Sequence, residues 1–348
     1  MKDELRSTKN LRRVFVSLLP AQAFASGLPA INLLLSSFII GNYYGSDGIA
    51  AIGFAGPFTL LITAAGATIA MGSQLLCGRS IGKGDKEGVA KVFSTTVVLA
   101  VILGLVLTLL AAFFPYQISS MLGASEPTYR MTGAYINGQA LGIMFAVLLP
   151  SLIPFLQLDQ AKIISTVSVI VMLVLNIGCN LINALYWHNG FYGVGFSVAV
   201  ANVVSALICV VYLLAKSKLF KFSLKAVDIK YAGEIFKLGA PTAVSNICSV
   251  FRDRAFNAVL FGLGGTIAVS AATLAIQISN SIGGCTIQGG FAGTSNLLAS
   301  VLVGERDIES LRKLPKTLFT GIFGIYVIAY VILFIFAKPI TLAFGADP

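Results

Sequence analysis

Three consecutive charged residues, Arg252, Asp253 and Arg254, lie in a stretch of the sequence that is otherwise apolar. A charged side chain at the centre of a membrane helix costs roughly 2.5 to 3.5 kcal/mol on insertion scales, and such residues commonly mark ion or substrate pathways. Arginine can extend toward nearby water, whereas the shorter aspartate needs a cavity, a proton or a partner on another helix. Asp253 is therefore predicted to take part in ion or proton coupling, or to hold a cation. Arg252 or Arg254 would modulate the protonation equilibrium of Asp253 or dock against the other lobe, and a structural ion pair between helices is the alternative.

Polar side chains recur at steps of three and four residues in three apolar segments, so each set lines one face of a helix. One such residue most simply joins two helices by a hydrogen bond worth about 1 kcal/mol. Three coherent stripes together predict a shared aqueous cavity instead. The predicted substrate- or ion-binding residues are Asp253, Asn180, Asn176, Ser36, Asn246, Ser249, Asn257, Gln277, Gln288, Arg252 and Arg254.

The elements that position these residues follow from the apolar runs. The chain is 57% hydrophobic and only 11% charged, and about 20 apolar residues are needed to cross a bilayer as a helix. An all-α polytopic membrane protein is predicted, with about nine transmembrane helices. They cover roughly residues 12–41, 48–76, 93–113, 133–156, 163–185, 192–214, 238–261, 266–300 and 317–337.

Basic residues give the orientation, because lysine and arginine concentrate in cytoplasmic loops. Twenty of the 24 fall at the N-terminus or in alternate loops on the same side of the predicted helices. The N-terminus is therefore predicted to be cytoplasmic.

Internal similarity indicates a repeat. The segment IGKGDKEGVAKVF (81–93) resembles VGERDIESLRKL (303–314), and MLGASEP (121–127) resembles AFGADP (343–348). A third pair, 44–53 with 261–270, keeps the same order and a shift of about 220 residues. Parallel repeats of this kind are typical of transporters. The pattern predicts a six-helix lobe (1–214), a basic cytoplasmic linker (215–237) and the first three helices of a second lobe (238–348), as in a twelve-helix protein cut short at its C-terminus.

Other classes of function fit the sequence less well. The net charge of +10 lies in short loops without the aromatic interleaving of nucleic-acid binders. The five cysteines stand singly, without the spacing of a metal site or a disulfide framework. No nucleophile with its base and no cofactor loop emerges, so neither an enzyme nor a cofactor other than a coupling ion is expected.

Four segments together resemble the multidrug and toxic compound extrusion family. They are IIGNYYGSDGIAAIGFAGP, GSQLLCGRSIGKGDKEGVAKVF, residues 155–205 and KLGAPTAVSN. The resemblance implies a two-lobed exporter of amphipathic, often cationic compounds, driven by sodium ions or protons, with a cavity between its lobes. It also implies acidic residues at the positions of Ser36 and Asn180, or of Ser249, and all three are neutral here. An ungapped alignment of the two repeats places Asp253 opposite Ser36, which suggests that the carboxylate is held in the other lobe.

The leading hypothesis is a monomeric antiporter in a bacterial inner membrane, with a small-molecule substrate, the lipid bilayer as its surroundings and no nucleic-acid partner. One alternative is a flippase of related fold that moves a lipid-linked glycan, for which a more basic cavity is expected. Another is a scaffold or fragment that transports nothing.

Overall fold

The computed structural model describes the backbone of residues 8–82, 84–159, 161–217 and 220–283 and of Val331, and most of their side chains from Asn32 onward. Throughout these residues the chain is helical apart from short turns and the linker, as predicted for an all-α membrane protein. The helices are α1 (Thr8–Gly82), α2 (Lys86–Phe113), α3 (Pro115–Met121), α4 (Thr128–Leu158), α5 (Lys162–Ile182), α6 (Gly190–Ala215) and α7 (Ile229–Gly283).

Two of these helices are interrupted by glycines. Helix α1 has 75 residues and at 1.5 Å per residue would exceed 100 Å if straight, far more than a bilayer. It breaks at Gly45, whose φ of 69° favours glycine. Helix α7 breaks at Gly264 and Gly265. The runs on either side of the breaks are called α1a (8–44), α1b (46–82), α7a (229–263) and α7b (266–283). They correspond to predicted helices one, two, seven and eight.

Several helices begin earlier than the apolar pattern predicted. Helices α2, α4 and α7 start at Lys86, Thr128 and Ile229, before the predicted starts at 93, 133 and 238. Polar first turns explain the difference, because hydropathy marks only the apolar part of a helix. At α2 the Asp85 carboxylate caps the helix by accepting from the Gly88 N–H at 2.9 Å. The short helix α3 was not predicted. The end of helix eight and all of helix nine lie outside the described residues.

Six of the described helices, counting α1 and α7 once each, are long and apolar enough to cross a membrane. Helices α4 and α6 pack with their backbones unusually close. A Cβ at Gly138 would collide with the Tyr192 carbonyl, and a Cβ at Gly195 with the Tyr135 carbonyl. Small residues that allow such approach are typical of membrane-helix interfaces.

The segment between α6 and α7 is not a simple tether. Phe220 is 2% exposed, and its ring lies 5.4 Å from that of Phe93 and 5.1 Å from that of Phe155, between ring centroids. The Ser223 N–H donates to the Ser94 hydroxyl at 3.0 Å, and the Asp228 N–H donates to the Thr95 hydroxyl at 3.1 Å. The linker is therefore docked on helix α2.

The chain divides into two compact units. One contains Ile39–Thr273, and the other contains Met1–Phe38 together with Leu274–Pro348. The division into lobes at residues 214 and 238 stays a prediction.

Candidate functional site

The polar stripe on α5 lies on a buried face. Asn176 and Asn180 are 6% and 2% exposed, and the Asn180 amide donates to the Asn176 side-chain oxygen at 2.7 Å. About two turns before Asn176, the Ser168 hydroxyl is buried, donates to the Ile164 carbonyl and accepts from the Cys209 thiol of α6. The periodicity therefore identified the inward face of α5 correctly. The hydrogen bonds named here join parts of the protein to one another.

Asn183, at the end of the same stripe, lies where α5 passes into a single π-helical turn, Asn183–Trp187. Its side chain is fully buried. The amide nitrogen donates to the Tyr44 hydroxyl at 3.2 Å and to the Gly190 carbonyl at 3.0 Å, while its oxygen accepts from the Asn189 N–H. Asn183 thus joins the turn before α6 to the end of α1a. The sequence pattern gave no sign of this role.

The charged triplet lies on α7a, where its members have different partners. The Nε and Nη2 atoms of Arg252 both lie 2.8 Å from Asp253 Oδ1. The side chain of Asp253 is 27% exposed and that of Arg252 is 69% exposed. In both contacts the partner of Asp253 lies on its own helix. The arginine beside it in the sequence balances its charge instead.

Arg254 points elsewhere, since residues two apart on a helix are separated by about 200°. Its Nε donates to the main-chain carbonyl of Met121 at 2.8 Å. Met121 is the last residue of α3, where carbonyls lack the partners that a continuing helix would supply. Arg254 thereby joins α7a to the end of α3, and its docking against the other lobe stays a prediction.

Asn257, one turn after Asp253, is 6% exposed and donates from its amide to the Gly53 carbonyl of α1b at 2.8 Å. Asn246 and Ser249 are half-buried on the same helix. The Ser249 hydroxyl donates to the Ser245 carbonyl of its own helix. The α7a stripe therefore has one member bonded across to α1b and another bonded within its helix.

Two further predicted residues, Ser36 and Gln277, belong to the other compact unit. Gln277 is 6% exposed and accepts a hydrogen bond from the Ser37 hydroxyl of α1a. Ser36 is half-buried beside it in the sequence. Gln288 lies outside the described residues. Ser37 was not among the residues predicted from the sequence, and it is more buried than Ser36.

The clefts described below are formed by described residues, and neither is lined by a predicted site residue. A cleft of about 530 Å³ is lined by residues at the α1b–α2 turn together with Lys221. A second, of about 440 Å³, lies between α5 and α6 and is almost wholly apolar. The described residues contain no group of three or more His, Cys, Asp or Glu side chains that could hold a metal ion.

The chemistry available is that of hydrogen bonding and charge pairing. Amide oxygens, hydroxyls and a carboxylate are the groups that bind hard cations such as Na⁺ and the polar parts of small organic molecules. On α7a the carboxylate is that of Asp253, and the guanidinium of Arg252 already balances its charge. Any cation that bound Asp253 would compete with Arg252.

Comparison with known proteins agrees with the fold. The family model MatE matches residues 23–182 and 241–348. Multidrug export protein MepA of Staphylococcus saprophyticus is 29% identical over 239 residues, which is 68% of this chain and 53% of that protein. MepA of Staphylococcus aureus strain MRSA252 is 26% identical over the same share. The chain thus spans about half the length of these curated relatives.

Solved structures show the same architecture. An inward-facing multidrug resistance MATE family transporter of the MOP superfamily superimposes with a TM-score of 0.81 at 20% identity, covering 97% of this chain and 77% of that one. An outward-facing structure of such a transporter gives 0.77 at 20% identity, covering 98% and 75%. At this identity the likeness establishes the fold.

The family model covers most of the chain and includes both halves of the predicted repeat. The resemblance drawn from the sequence motifs is therefore confirmed, as is the prediction of a multi-pass membrane protein. A family whose members transport compounds also agrees with the expectation that the chain is not an enzyme. The chain belongs to the MatE family of multidrug and toxic compound extrusion transporters.

Proposed function

We propose that this protein exports amphipathic, cationic small molecules from a bacterial cell, in exchange for Na⁺ or H⁺, by alternating access between two lobes. The observation that carries the proposal is the MatE match across residues 23–182 and 241–348, with MepA multidrug export proteins among the relatives. The N-terminus and the basic linker face the cytoplasm of the cell membrane, because cytoplasmic loops attract lysine and arginine. The protein acts as a monomer.

Asp253 is the coupling residue in this proposal. It lies within an apolar span of α7, and 27% of its side chain is exposed, so a proton, Na⁺ or cationic substrate can reach it. Arg252 holds the carboxylate when no cation is bound. Binding of a cation would release the arginine, and departure of the cation would restore the pair. Such an exchange of partners supplies the differential interaction that a coupled cycle needs.

The test is reconstitution of the protein in proteoliposomes with a fluorescent cationic dye, under a Na⁺ gradient and an H⁺ gradient applied separately. Asp253→Asn is expected to lower gradient-driven dye efflux about tenfold, the change expected when roughly 1.4 kcal/mol of binding is lost. Asp253→Glu should retain part of the efflux because it keeps the carboxylate.

Glu126→Gln is the matched control, since Glu126 is an exposed carboxylate that is also paired with an arginine, Arg130. It should leave efflux unchanged. Equal coupled efflux by Asp253→Asn and the parent protein would exclude the coupling role. A parent protein that moves no dye under either gradient would contradict the export proposal and favour a flippase or a protein without transport activity.

A further inference from the structure

Helices α1b and α7a contact each other at two levels, near Gly72 and near Gly53, and this contact is called the α1b–α7a seam. At the end nearest the linker, the backbones themselves meet. A Cβ added at Gly72 would collide with the Ile235 carbonyl, and one at Gly239 would collide with the Thr68 carbonyl. These two glycines therefore allow the two helices to approach closely at the end that the proposed function places in the cytoplasm.

The opposite end of the seam is closed by different chemistry. The Asn257 amide donates to the Gly53 carbonyl, and the Arg254 Nε donates to the Met121 carbonyl, each at 2.8 Å. Beside them the rings of Phe54 and Phe261 meet edge to face, with centroids 5.6 Å apart. Ala124, in the turn after α3, is buried in the same small cluster. Side-chain hydrogen bonds and one aromatic pair thus hold this end.

Arg254 differs from the other contacts at this end because it is exposed. When the seam opens, water can hydrate both the guanidinium and the Met121 carbonyl, so breaking this bond costs much less than leaving a buried group unpaired. The planar guanidinium also fixes the direction of its donors. The contact is therefore suited to hold a closed state that must open again.

We infer that Arg254 is a positioning residue of the transport cycle: it fastens the outer end of α7a to the end of α3 and so favours closure of the outer half of the α1b–α7a seam. This role rests on the proposed function for its place in transport. It differs from the role of Asp253, because Arg254 acts through a backbone carbonyl and contacts neither ion nor substrate. At the inner end, Gly72 and Gly239 allow the two helices to approach closely.

Cysteine accessibility tests the inference without any transported substrate. In a background with the native cysteines replaced, Ala124→Cys reports on the outer end and Ile235→Cys on the inner end. Both positions are buried, at 8% and 0% exposure. Arg254→Gln is expected to raise the maleimide reactivity of the outer reporter roughly three- to tenfold, the range for loss of one hydrogen bond, and to leave the inner reporter unchanged. Arg254→Lys should restore most of the parent rate.

Two control variants define the alternatives. Arg130→Gln removes an exposed arginine from the same side of the protein, one whose partner is the local residue Glu126, and should change neither reporter. Gly239→Ala should raise the reactivity of the inner reporter and not of the outer one. An unchanged outer rate in Arg254→Gln, or an equal rise of both reporters, would overturn the inference, since the second result indicates general loosening.

If Arg254→Gln does not fold, Arg254→Met carries the test, because methionine keeps an unbranched side chain but has no donor for the Met121 carbonyl. A rise in the reactivity of the outer reporter Ala124→Cys alone is expected. An unchanged outer rate, or an equal rise of both reporters, would contradict the inference. Because the accessibility measurement needs no substrate, its result is independent of dye export. A protein that exports no dye can still show the effect of Arg254 on the outer reporter, and an exporting protein can lack this effect.

Discussion

At the scale of residues, the two arginines of the charged triplet on α7a have different partners. Arg252 balances Asp253 within one helix, while Arg254 reaches the end of α3. A carboxylate in hydrocarbon requires such compensation, because burial of an unpaired charge is costly. The nearest guanidinium meets this need here. Polar side chains of α5 and of the turn after it join helices by hydrogen bonds, and Asn183 in that turn makes three such bonds.

Replacement of Asn183 with alanine is expected to lower the free energy of unfolding by about 2 kcal/mol or more. The change removes the hydrogen bonds of the Asn183 side chain to the Gly190 carbonyl, the Asn189 N–H and the Tyr44 hydroxyl, and each such bond contributes about 0.5 to 1.5 kcal/mol. Thermal unfolding in detergent measures the effect. Tyr44→Phe removes only one of the three hydrogen bonds, so its loss should be smaller. An equal loss of unfolding free energy in both variants would show that the bonds of Asn183 to Gly190 and Asn189 do not contribute to stability.

At the scale of elements, the linker between α6 and α7 determines where α7 begins. Phe220 occupies a pocket formed by rings of α2 and α4, and two linker N–H groups are held by hydroxyls of α2. The free segment before α7 is thereby shortened, since Asp228 is already fixed and α7 starts at the next residue. Motion of α7 relative to α2 must therefore either carry the linker along or bend the chain close to Ile229.

Phe220→Ala is expected to destabilise the protein by about 3 to 5 kcal/mol if the ring's cavity does not collapse, as for other buried aromatic residues. Trypsin should then cut faster at the linker lysines Lys216, Lys221 and Lys225, because the undocked backbone can enter the protease. The control is Leu224→Ala, whose side chain is 72% exposed in the same segment. Cleavage at the parent rate in Phe220→Ala would show that Phe220 does not hold the linker.

At the scale of the whole molecule, charge and hydropathy together orient the chain. The linker lysines and the N-terminal basic residues belong to one side, and the turn that follows α3 belongs to the other. Because lysine and arginine resist translocation, this distribution predicts a cytoplasmic N-terminus. The spans described by the structure are consistent with alternation, but the side of the membrane stays a prediction.

Labelling of single cysteines in intact cells tests the orientation. Met121→Cys, at a position 70% exposed near the end of α3, should react with a membrane-impermeant maleimide from outside. Leu224→Cys, at a position 72% exposed in the linker, should react only after the cells are permeabilised. The reverse pattern would invert the orientation, and with it the inner and outer ends of the α1b–α7a seam.

The sequence by itself determined the class of protein, most of the spans, the buried face of α5 and the family. These follow from local rules: apolar runs must be long enough to cross the bilayer, backbone groups in lipid must bond within helices, and polar residues at steps of three and four share a face. Only the tertiary structure decided which element lies opposite each face. Helical periodicity gives the direction of a side chain, but packing across distances of tens to hundreds of residues selects its partner. For that reason Arg254 with Met121, Asn257 with Gly53 and Phe220 between α2 and α4 became visible only in the folded chain.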